Sequence, residues 1–314
     1  MALDQVSIQE DAILTELHMG APRSIRVLQV KSEHLLPNTY IVESPKALQI
    51  LLEPWSVGSR LANSARESSV DFLRAAYHIS PELRQSTFES ITEVVPLAGS
   101  LYYSLAEAFE RSFGESINRC FIGARRHVTP TGWVTELSYE NFEAMPSEPL
   151  ILIGDTIATG GTIERIVEST LKHSSGVRAI VIYSIAGGLA GAVRIKEMAD
   201  KIKIPTYLFY SNAIFGVESN GTDMPWLHPG TIVAPETRKK AEDAYGPDLG
   251  RRWCSVWDWG DRAKHPLKHL RGILEKCEDE LETVDSDQTR RILDRIRRET
   301  DAAIKNLLSP LKLR

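Results

Sequence analysis

The sequence predicts an α/β protein built on a mostly parallel, doubly wound sheet, with a helical extension at the C-terminus. Short apolar segments alternate with segments whose apolar residues recur at helical spacing, which is typical of parallel strands joined by crossover helices. After Pro266 the chain becomes highly charged and predicts two helices. We therefore divide the chain into an N-terminal arm (residues 1–23), an α/β domain (24–266) and a C-terminal helical extension (267–314).

The elements follow in order along the chain. Strands are predicted over residues 24–30, 91–96, 120–126, 133–139, 150–153, 177–185 and 205–210. Helical or partly helical segments are predicted over residues 47–53, 55–73, 100–113, 162–173, 191–201, 269–281 and 288–307. Ligands of such sheets bind beyond the carboxyl ends of the strands, so the loops that follow the strands are the candidate site.

The composition argues against several classes of function. A net charge of -5 gives no support to nucleic-acid binding, which favours a basic surface. The longest weakly polar run, residues 177–193, is too short and too interrupted to span a bilayer, so no membrane partner is expected. The polar and acidic residues 1–13 do not form a signal peptide, and the three cysteines lack metal-ligand spacing. These features predict a cytoplasmic protein.

Small and hydroxyl residues follow the apolar strand at 150–153. Residues 154–162 read Gly-Asp-Thr-Ile-Ala-Thr-Gly-Gly-Thr, and a helix is predicted to begin near Thr162. The glycines let backbone N–H groups turn inward, the hydroxyls add donors, and the helix N-terminus contributes a partial positive charge. A plain turn between strand and helix is the alternative, but the strand, the acid and the loop residues together favour a phosphate-binding loop.

This run resembles the 5-phosphoribosyl 1-pyrophosphate (PRPP) signature of type I phosphoribosyltransferases, and the resemblance implies the fold of that family. Asp155 would then meet the ribose hydroxyls. The residues that would hold the 5-phosphate and the ribose are Thr156, Ala158, Thr159, Gly160, Gly161 and Thr162. The family often carries two adjacent acids, whereas Gly154 occupies the first of those positions in this sequence.

Two segments upstream carry further candidates. Ala98 and Gly99 follow the strand at 91–96, where a small loop lets the backbone approach a pyrophosphate, although a plain turn explains them as well. Arg125 and Arg126 end the predicted strand at 120–126. They could neutralise a leaving pyrophosphate through forked hydrogen bonds, or form a solvated basic edge.

A tryptophan-rich segment lies downstream, where Trp253, Trp257 and Trp259 stand close to two acids and an arginine. The aromatic faces favour an acceptor pocket for a flat ring, and the alternative is a corner of core covered by the C-terminal helices. The histidines are interpreted as ordinary polar residues.

In this order the segments are similar to the uracil phosphoribosyltransferase branch over residues 93–262. The resemblance implies an enzyme that transfers the 5-phosphoribosyl group of PRPP to uracil or another flat heterocycle and releases pyrophosphate. Its catalytic residues would be Asp155, Arg126 and Asp258, with Asp258 also contacting the Mg²⁺ carried with PRPP. The acceptor would contact Trp257, Gly260 and Asp261. We also expect a homodimer.

The sequence departs from that branch on the acceptor side. Trp257 stands where the branch has a small glycine, and residues 263–266 read Ala-Lys-His-Pro in place of Phe-Gly-Thr. These departures indicate a changed acceptor pocket. Two other functions stay open: a non-catalytic protein that senses PRPP or a nucleotide on the same fold, and an interaction protein that works through its C-terminal helices.

Overall fold

The computed structural model describes residues 4–18, 25–130, 132–174, 176–253 and 259–310. Its strands are β1 (Ile13–Leu17), β2 (Arg26–Lys31), β3 (Thr39–Glu43), β4 (Ile91–Leu97), β5 (Asn118–Thr129), β6 (Gly132–Asn141), β7 (Leu150–Gly154), β8 (Ala179–Ser184), β9 (Gly187–Gly188), β10 (Thr206–Ser211), β11 (Ala213–Phe215) and β12 (Ile232–Val233). Its helices are α1 (Gln5–Asp11), α2 (Pro45–Leu52), α3 (Gly58–Ile79), α4 (Pro81–Arg84), α5 (Leu105–Phe113), α6 (Gly161–His173), α7 (Leu189–Ile202), α8 (Pro235–Arg252), α9 (Trp259–Lys264), α10 (Pro266–Thr283) and α11 (Asp287–Leu308).

Nine of the described strands form one sheet, in the order β1-β2-β3-β10-β8-β7-β4-β5-β6. The strands from β3 to β5 in that order run parallel to their neighbours. Antiparallel strands flank them, with β1 and β2 at one edge and β6 at the other. The mostly parallel sheet predicted from the sequence is confirmed.

Both faces of the sheet are covered. Leu150 and Leu152 of β7 join the core that contains residues of α2, α3 and α5, whereas Ile151 and Ile153 join the core that contains residues of α6 and α7. Because both faces of the central strands are buried, these strands are near-continuous apolar runs instead of alternating ones. The sheet is therefore doubly wound, as the sequence predicts.

The two predicted C-terminal helices are present as α10 and α11. They pack on each other, and α11 packs on α8. Leu270, Leu293 and Ile296 are fully buried between them and the domain. Arg252 of α8 also forms a salt bridge of 2.6 Å with Glu280 of α10. These helices therefore cover the α/β domain, and a role in interaction with other proteins stays a prediction.

Several predicted elements differ in the structure. The helix predicted over residues 100–113 is a 3₁₀ turn, Gly99–Tyr103, followed by α5, because Ser104 adopts a left-handed conformation with φ 51°. The strand predicted over 120–126 runs on to Thr129 and forms a long hairpin with β6. Arg125 and Arg126 therefore lie within a strand and not at its end. The sequence patterns missed the helices α1, α4, α8 and α9 and the strands β1, β3, β9, β11 and β12.

None of the helices in the described ranges has the length and apolar character that crossing a bilayer requires.

Candidate functional site

A cleft with a volume of about 790 Å³ lies at the carboxyl ends of β4 and β7. It is lined by segments that are far apart in sequence: Pro96, Leu97, Ala98 and Gly99 after β4; Ala124, Arg126 and Trp133 of the β5–β6 hairpin; Asp155, Thr156, Ala158 and Thr162 after β7; Thr222, Asp223 and Met224; and Trp259, Gly260, Asp261, Lys264 and His265. This is the edge of the sheet where ligands of parallel α/β folds bind.

The loop between β7 and α6 has backbone N–H groups that the protein itself does not use. Within the described part of the chain, the N–H groups of residues 158–162 donate to no carbonyl and no side chain. The first helical bond of α6 runs from the Glu164 N–H to the Gly160 carbonyl, at 3.0 Å. Five such donors beside a helix N-terminus form a binding site for an anion such as phosphate.

The loop is held in place by α7 and the segment before it. The Ile157 N–H donates to the Ala186 carbonyl at 3.2 Å, and the Gly188 N–H donates to the Ile157 carbonyl at 2.6 Å. Gly160 has φ +77°, and a Cβ there would lie 3.0 Å from the Gly191 carbonyl oxygen. The glycines thus permit a backbone conformation and a close approach that larger residues would obstruct.

Asp155 lies half-buried at the start of this loop. Its carboxylate accepts a hydrogen bond of 2.9 Å from the Thr156 N–H. Burial raises the pKa of Asp155 to about 6, although Thr156, Ser100 and the charge of Arg126 each act in the opposite direction. Above that pH the carboxylate is ionised and can accept hydrogen bonds from hydroxyl groups in the cleft.

Gly154 occupies the place where the resemblance would put a second acid. A Cβ there would lie 3.0 Å from side-chain carbons of both Tyr103 and Leu105. The Tyr103 hydroxyl lies 3.2 Å from the Thr156 hydroxyl and accepts a bond of 3.2 Å from the Ile185 N–H. The space beside the carboxylate is therefore filled by Tyr103, which bonds to the site residue Thr156.

Replacing Gly154 with alanine is expected to lower the free energy of unfolding by about 1–3 kcal/mol, because the added methyl group overpacks against Tyr103 and Leu105. Urea unfolding measures this change. The matched control is Gly272→Ala in α10, where an added Cβ meets no atom within 4 Å. That variant is expected to keep or to raise the stability, and equal losses in the two variants would contradict the packing explanation.

The β5–β6 hairpin places a cation at the cleft. The Arg126 guanidinium lies 4.7 Å from the centre of the Trp133 ring, which is a cation–π distance. The Trp133 indole N–H donates to the Asn220 carbonyl at 3.1 Å, so the hairpin also contacts the segment that contains Thr222, Asp223 and Met224. Partial burial lowers the pKa of Arg126, and the carboxylate of Asp155 opposes this effect.

Trp259 joins the C-terminal part of the chain to the loop after β4. Its ring is buried, and its indole N–H donates to the Gly99 carbonyl at 3.2 Å. The ring also packs against Tyr103, with 5.5 Å between the two ring centres. Trp253, in contrast, is buried and donates to Glu280 of α10 at 3.1 Å. Trp253 therefore belongs to the core covered by the C-terminal helices, whereas Trp259 lines the cleft and the acceptor pocket stays a prediction.

Arg262 is fully buried behind α9 and does not line the cleft. Its guanidinium donates to the backbone carbonyls of Ile50 (2.9 Å), Glu53 (2.6 Å) and Ser56 (2.9 Å). Burial lowers its pKa to about 10, so the side chain still carries its charge at neutral pH. Arg262 thus holds α9 against the end of α2.

Most of the residues predicted from the sequence meet in the cleft. Those that line it are Ala98, Gly99, Arg126, Asp155, Thr156, Ala158, Thr162, Gly260 and Asp261. Thr159, Gly160 and Gly161 lie in the same loop and supply backbone N–H groups. Arg125 is not among the lining residues, because side chains alternate along β5. Trp257 and Asp258 lie outside the described residues.

The sequence patterns did not single out several lining residues: Trp133, Thr222, Asp223, Met224, Lys264 and His265. For Lys264 and His265 a signal existed, since they lie in the segment where the sequence departs from the uracil branch. His265 was interpreted as an ordinary polar residue, yet it lines the cleft.

No protein-family model and no curated protein matches the sequence. Among solved structures, the adenine phosphoribosyltransferase of Leishmania donovani aligns with a TM-score of 0.37 and 13% identity, over 56% of this chain and 85% of that chain. The adenine phosphoribosyltransferase of Trypanosoma brucei, in complex with AMP, pyrophosphate and ribose-5-phosphate, aligns with a TM-score of 0.35 and 11% identity, over 65% of this chain and 96% of that chain. A hypothetical protein from Neisseria gonorrhoeae with bound ppGpp aligns with a TM-score of 0.28 and 10% identity, over 50% of this chain and 86% of that chain.

At these TM-scores the likeness assigns no function to this chain. The placement in the uracil branch is not confirmed and stays a prediction.

Proposed function

We propose that this protein is a phosphoribosyltransferase, which transfers the 5-phosphoribosyl group of PRPP to a flat heterocyclic acceptor and releases pyrophosphate. One observation carries the proposal. The unused N–H groups of residues 158–162, the carboxylate of Asp155 and the guanidinium of Arg126 lie around one cleft. A phosphate, a ring with hydroxyl groups and a pyrophosphate require these three kinds of partner.

In the proposed reaction the acceptor nitrogen forms a bond to C1 of the ribose while the bond from C1 to the pyrophosphate oxygen breaks. Positive charge develops on the ribose ring, and negative charge develops on the leaving group. Asp155 accepts hydrogen bonds from the ribose hydroxyls, and its negative charge stabilises the ring. Arg126 neutralises the departing pyrophosphate. The loop at 158–162 holds the 5-phosphate and so positions C1.

The proposed position of the acceptor is the part of the cleft lined by Trp259, Gly260 and Asp261. The ring of Trp259 lines the cleft but is only 5% exposed, and its bond to Gly99 fixes it, so its proposed role is an apolar wall beside the acceptor. Asp261 also lines this part of the cleft, and Lys268 holds its pKa below the usual value from a distance of 2.5 Å. Asp261 is therefore a weak proton acceptor, and its proposed role is to bind the acceptor.

Magnesium is proposed to arrive with PRPP. Within the described residues, no group of three or more His, Cys, Asp or Glu side chains could hold a metal ion. This fits Mg²⁺, which usually keeps several waters and takes phosphate oxygens with only one or two carboxylates. Asp155 is the carboxylate beside the phosphate loop, and Mg²⁺ would neutralise charge on the pyrophosphate. The predicted metal contact, Asp258, stays a prediction.

A non-catalytic sensor of PRPP or of a nucleotide is the second candidate. The packing of Tyr103 beside Gly154 favours it, because a single carboxylate is then left at the place of the ribose hydroxyls. Tight PRPP binding without turnover would be the property of such a protein. The homodimer and the cytoplasmic location also stay predictions.

The test is pyrophosphate release from PRPP and Mg²⁺ with a panel of nucleobases and pyridine bases. Wild-type protein is expected to release pyrophosphate with at least one acceptor. Arg126→Gln is expected to lower kcat by about 100-fold to 1,000-fold, because it removes a charge that acts on the leaving group. Arg298→Gln, on the exposed face of α11, is the control and is expected to match the wild type. PRPP binding without release for every acceptor would reject the enzyme in favour of the sensor.

A further inference from the structure

Helix α9 turns one face to the cleft and the other to the core. Gly260, Asp261 and Lys264 of α9 line the cleft, and so does His265, the residue between α9 and α10. Gly260 and Lys264 have the spacing of neighbours on one helical face. Arg262 points the opposite way and is fully buried.

Two anchors fix this orientation. Arg262 donates three hydrogen bonds to backbone carbonyls at the end of α2, and Trp259 donates to the Gly99 carbonyl. Because the anchors lie three residues apart on a short helix, α9 cannot rotate without breaking one of them. The backbone of Lys264 and His265 is therefore held at the wall of the cleft, where both side chains are exposed.

The two carboxylates at this wall already have partners, so the ammonium of Lys264 is available to bind an anion. The carboxylate of Asp261 is paired with Lys268 at 2.5 Å, and that of Asp223 accepts a hydrogen bond of 2.8 Å from the Asn220 amide. Lys264 forms no salt bridge with any described residue. The other cation that lines the cleft, Arg126, lies on the β5–β6 hairpin and is already assigned to the pyrophosphate.

We propose that Lys264 and His265 bind an anionic substituent of the acceptor, a carboxylate or a phosphate, so that the acceptor is an acidic heterocycle. The inference rests on the proposed phosphoribosyl transfer, since it names the class of acceptor for that reaction. The exposed Lys264 ammonium is hydrated when a neutral base is bound, whereas an anion on the ring would form a charge-assisted hydrogen bond with it and fix the orientation of the ring in the cleft. Residues 263–266, where the sequence departs from the uracil branch, contain both side chains.

The experiment compares matched acceptors that differ only in the anionic group. The pairs are uracil and uracil-6-carboxylate, nicotinamide and nicotinate, and pyridoxine and pyridoxine 5′-phosphate. The first two pairs test a carboxylate, and the third tests a phosphate. Wild-type protein is expected to prefer the anionic member of at least one pair by about tenfold or more in kcat/KM.

Variants of Lys264 and His265 test whether these side chains cause the preference for the anionic acceptor. Lys264→Ala is expected to reduce it to about twofold or less while the KM for PRPP is unchanged, and Lys264→Arg is expected to retain most of it. His265→Ala is expected to have a smaller effect in the same direction. Lys201→Ala, which removes an exposed lysine at the end of α7, is the control for a general loss of charge.

The proposal fails if wild-type protein prefers the neutral members. It also fails if Lys264→Ala raises the KM for PRPP and keeps the acceptor preference, since Lys264 would then bind the pyrophosphate. If no acceptor gives pyrophosphate, the proposed function has failed instead. In that case the matched acceptors are titrated into the PRPP- and Mg²⁺-loaded protein, and tryptophan fluorescence measures their binding. Tighter binding of the anionic members that Lys264→Ala removes supports the site, and equal binding of both members rejects it.

Discussion

Asp155→Asn is expected to lower kcat/KM for PRPP by about 100-fold to 1,000-fold, because it removes the negative charge proposed to stabilise the ribose ring. Because burial raises the pKa of Asp155 to about 6, wild-type activity is expected to fall as the pH decreases through that value. The residual activity of Asp155→Asn should not change over the same range. Pyrophosphate release measured from about pH 5 to pH 8 checks both. Asp279→Asn, on the exposed face of α10, is the control.

The same variant is expected to be more stable than the wild type at neutral pH. Asp155 has a pKa of about 6 in the folded protein, above the 3.8 that is usual for an aspartate, so the folded state binds the proton more tightly than the unfolded state does. Protonation of Asp155 therefore stabilises the folded state fully below about pH 4, and this stabilisation is lost as the pH rises through 6. Asparagine removes the cost of the buried charge, a gain of about 1–2 kcal/mol at pH 7.5 after allowance for partial exposure.

Urea unfolding of wild-type protein and Asp155→Asn at two pH values measures this gain. The difference between them should shrink on moving from pH 7.5 to pH 4. A variant that is less stable than the wild type at pH 7.5 would show that the carboxylate supports the fold, and a role in ligand binding would lose this support. Lower activity with higher stability is the combination expected of a residue kept for function.

The sequence predicted the parallel centre of the sheet best. The strands β7, β8 and β10 are buried on both faces, so their apolar runs are continuous and their limits are clear. β3 was missed because only Tyr40, Ile41 and Val42 form its apolar run and because its neighbour β10 lies far away in the sequence. α8 was missed because Gly246, with φ 69°, and Pro247 interrupt its pattern, and the helix is kinked at the same place.

The residues of the candidate site also fall into two groups, those with a local sequence pattern and those brought together by contacts that are distant in sequence. The loop at 154–162 is contiguous in sequence, so its phosphate-binding character can be predicted from local pattern. Trp133 lies at the cleft because it is carried by the β5–β6 hairpin and bonds to Asn220, a contact across 87 residues. Met224 likewise comes near Ala158 through tertiary packing around Gly188. Contacts of this kind leave no local pattern, which explains why these residues were not predicted.

Arg262→Ala is expected to lower the free energy of unfolding by about 3–5 kcal/mol, the largest loss of any single change considered for this protein. The guanidinium satisfies the carbonyls of Ile50, Glu53 and Ser56, and it brings a positive charge to the negative end of α2. Alanine would leave three buried acceptors without donors and a cavity in their place. The fully buried position leaves little room for water to replace the lost donors.

Two further variants separate the hydrogen bonds from the packing. Arg262→Met keeps most of the side-chain volume and loses every donor, so a loss close to that of alanine would assign the effect to the hydrogen bonds. Arg251→Ala, on the exposed side of α8, should change the stability by less than about 0.5 kcal/mol. Because Arg262 anchors α9, a variant that still folds should show a raised KM for the acceptor with little change in the KM for PRPP. Equal rises in both would mean that Arg262 supports the whole cleft and not its acceptor wall.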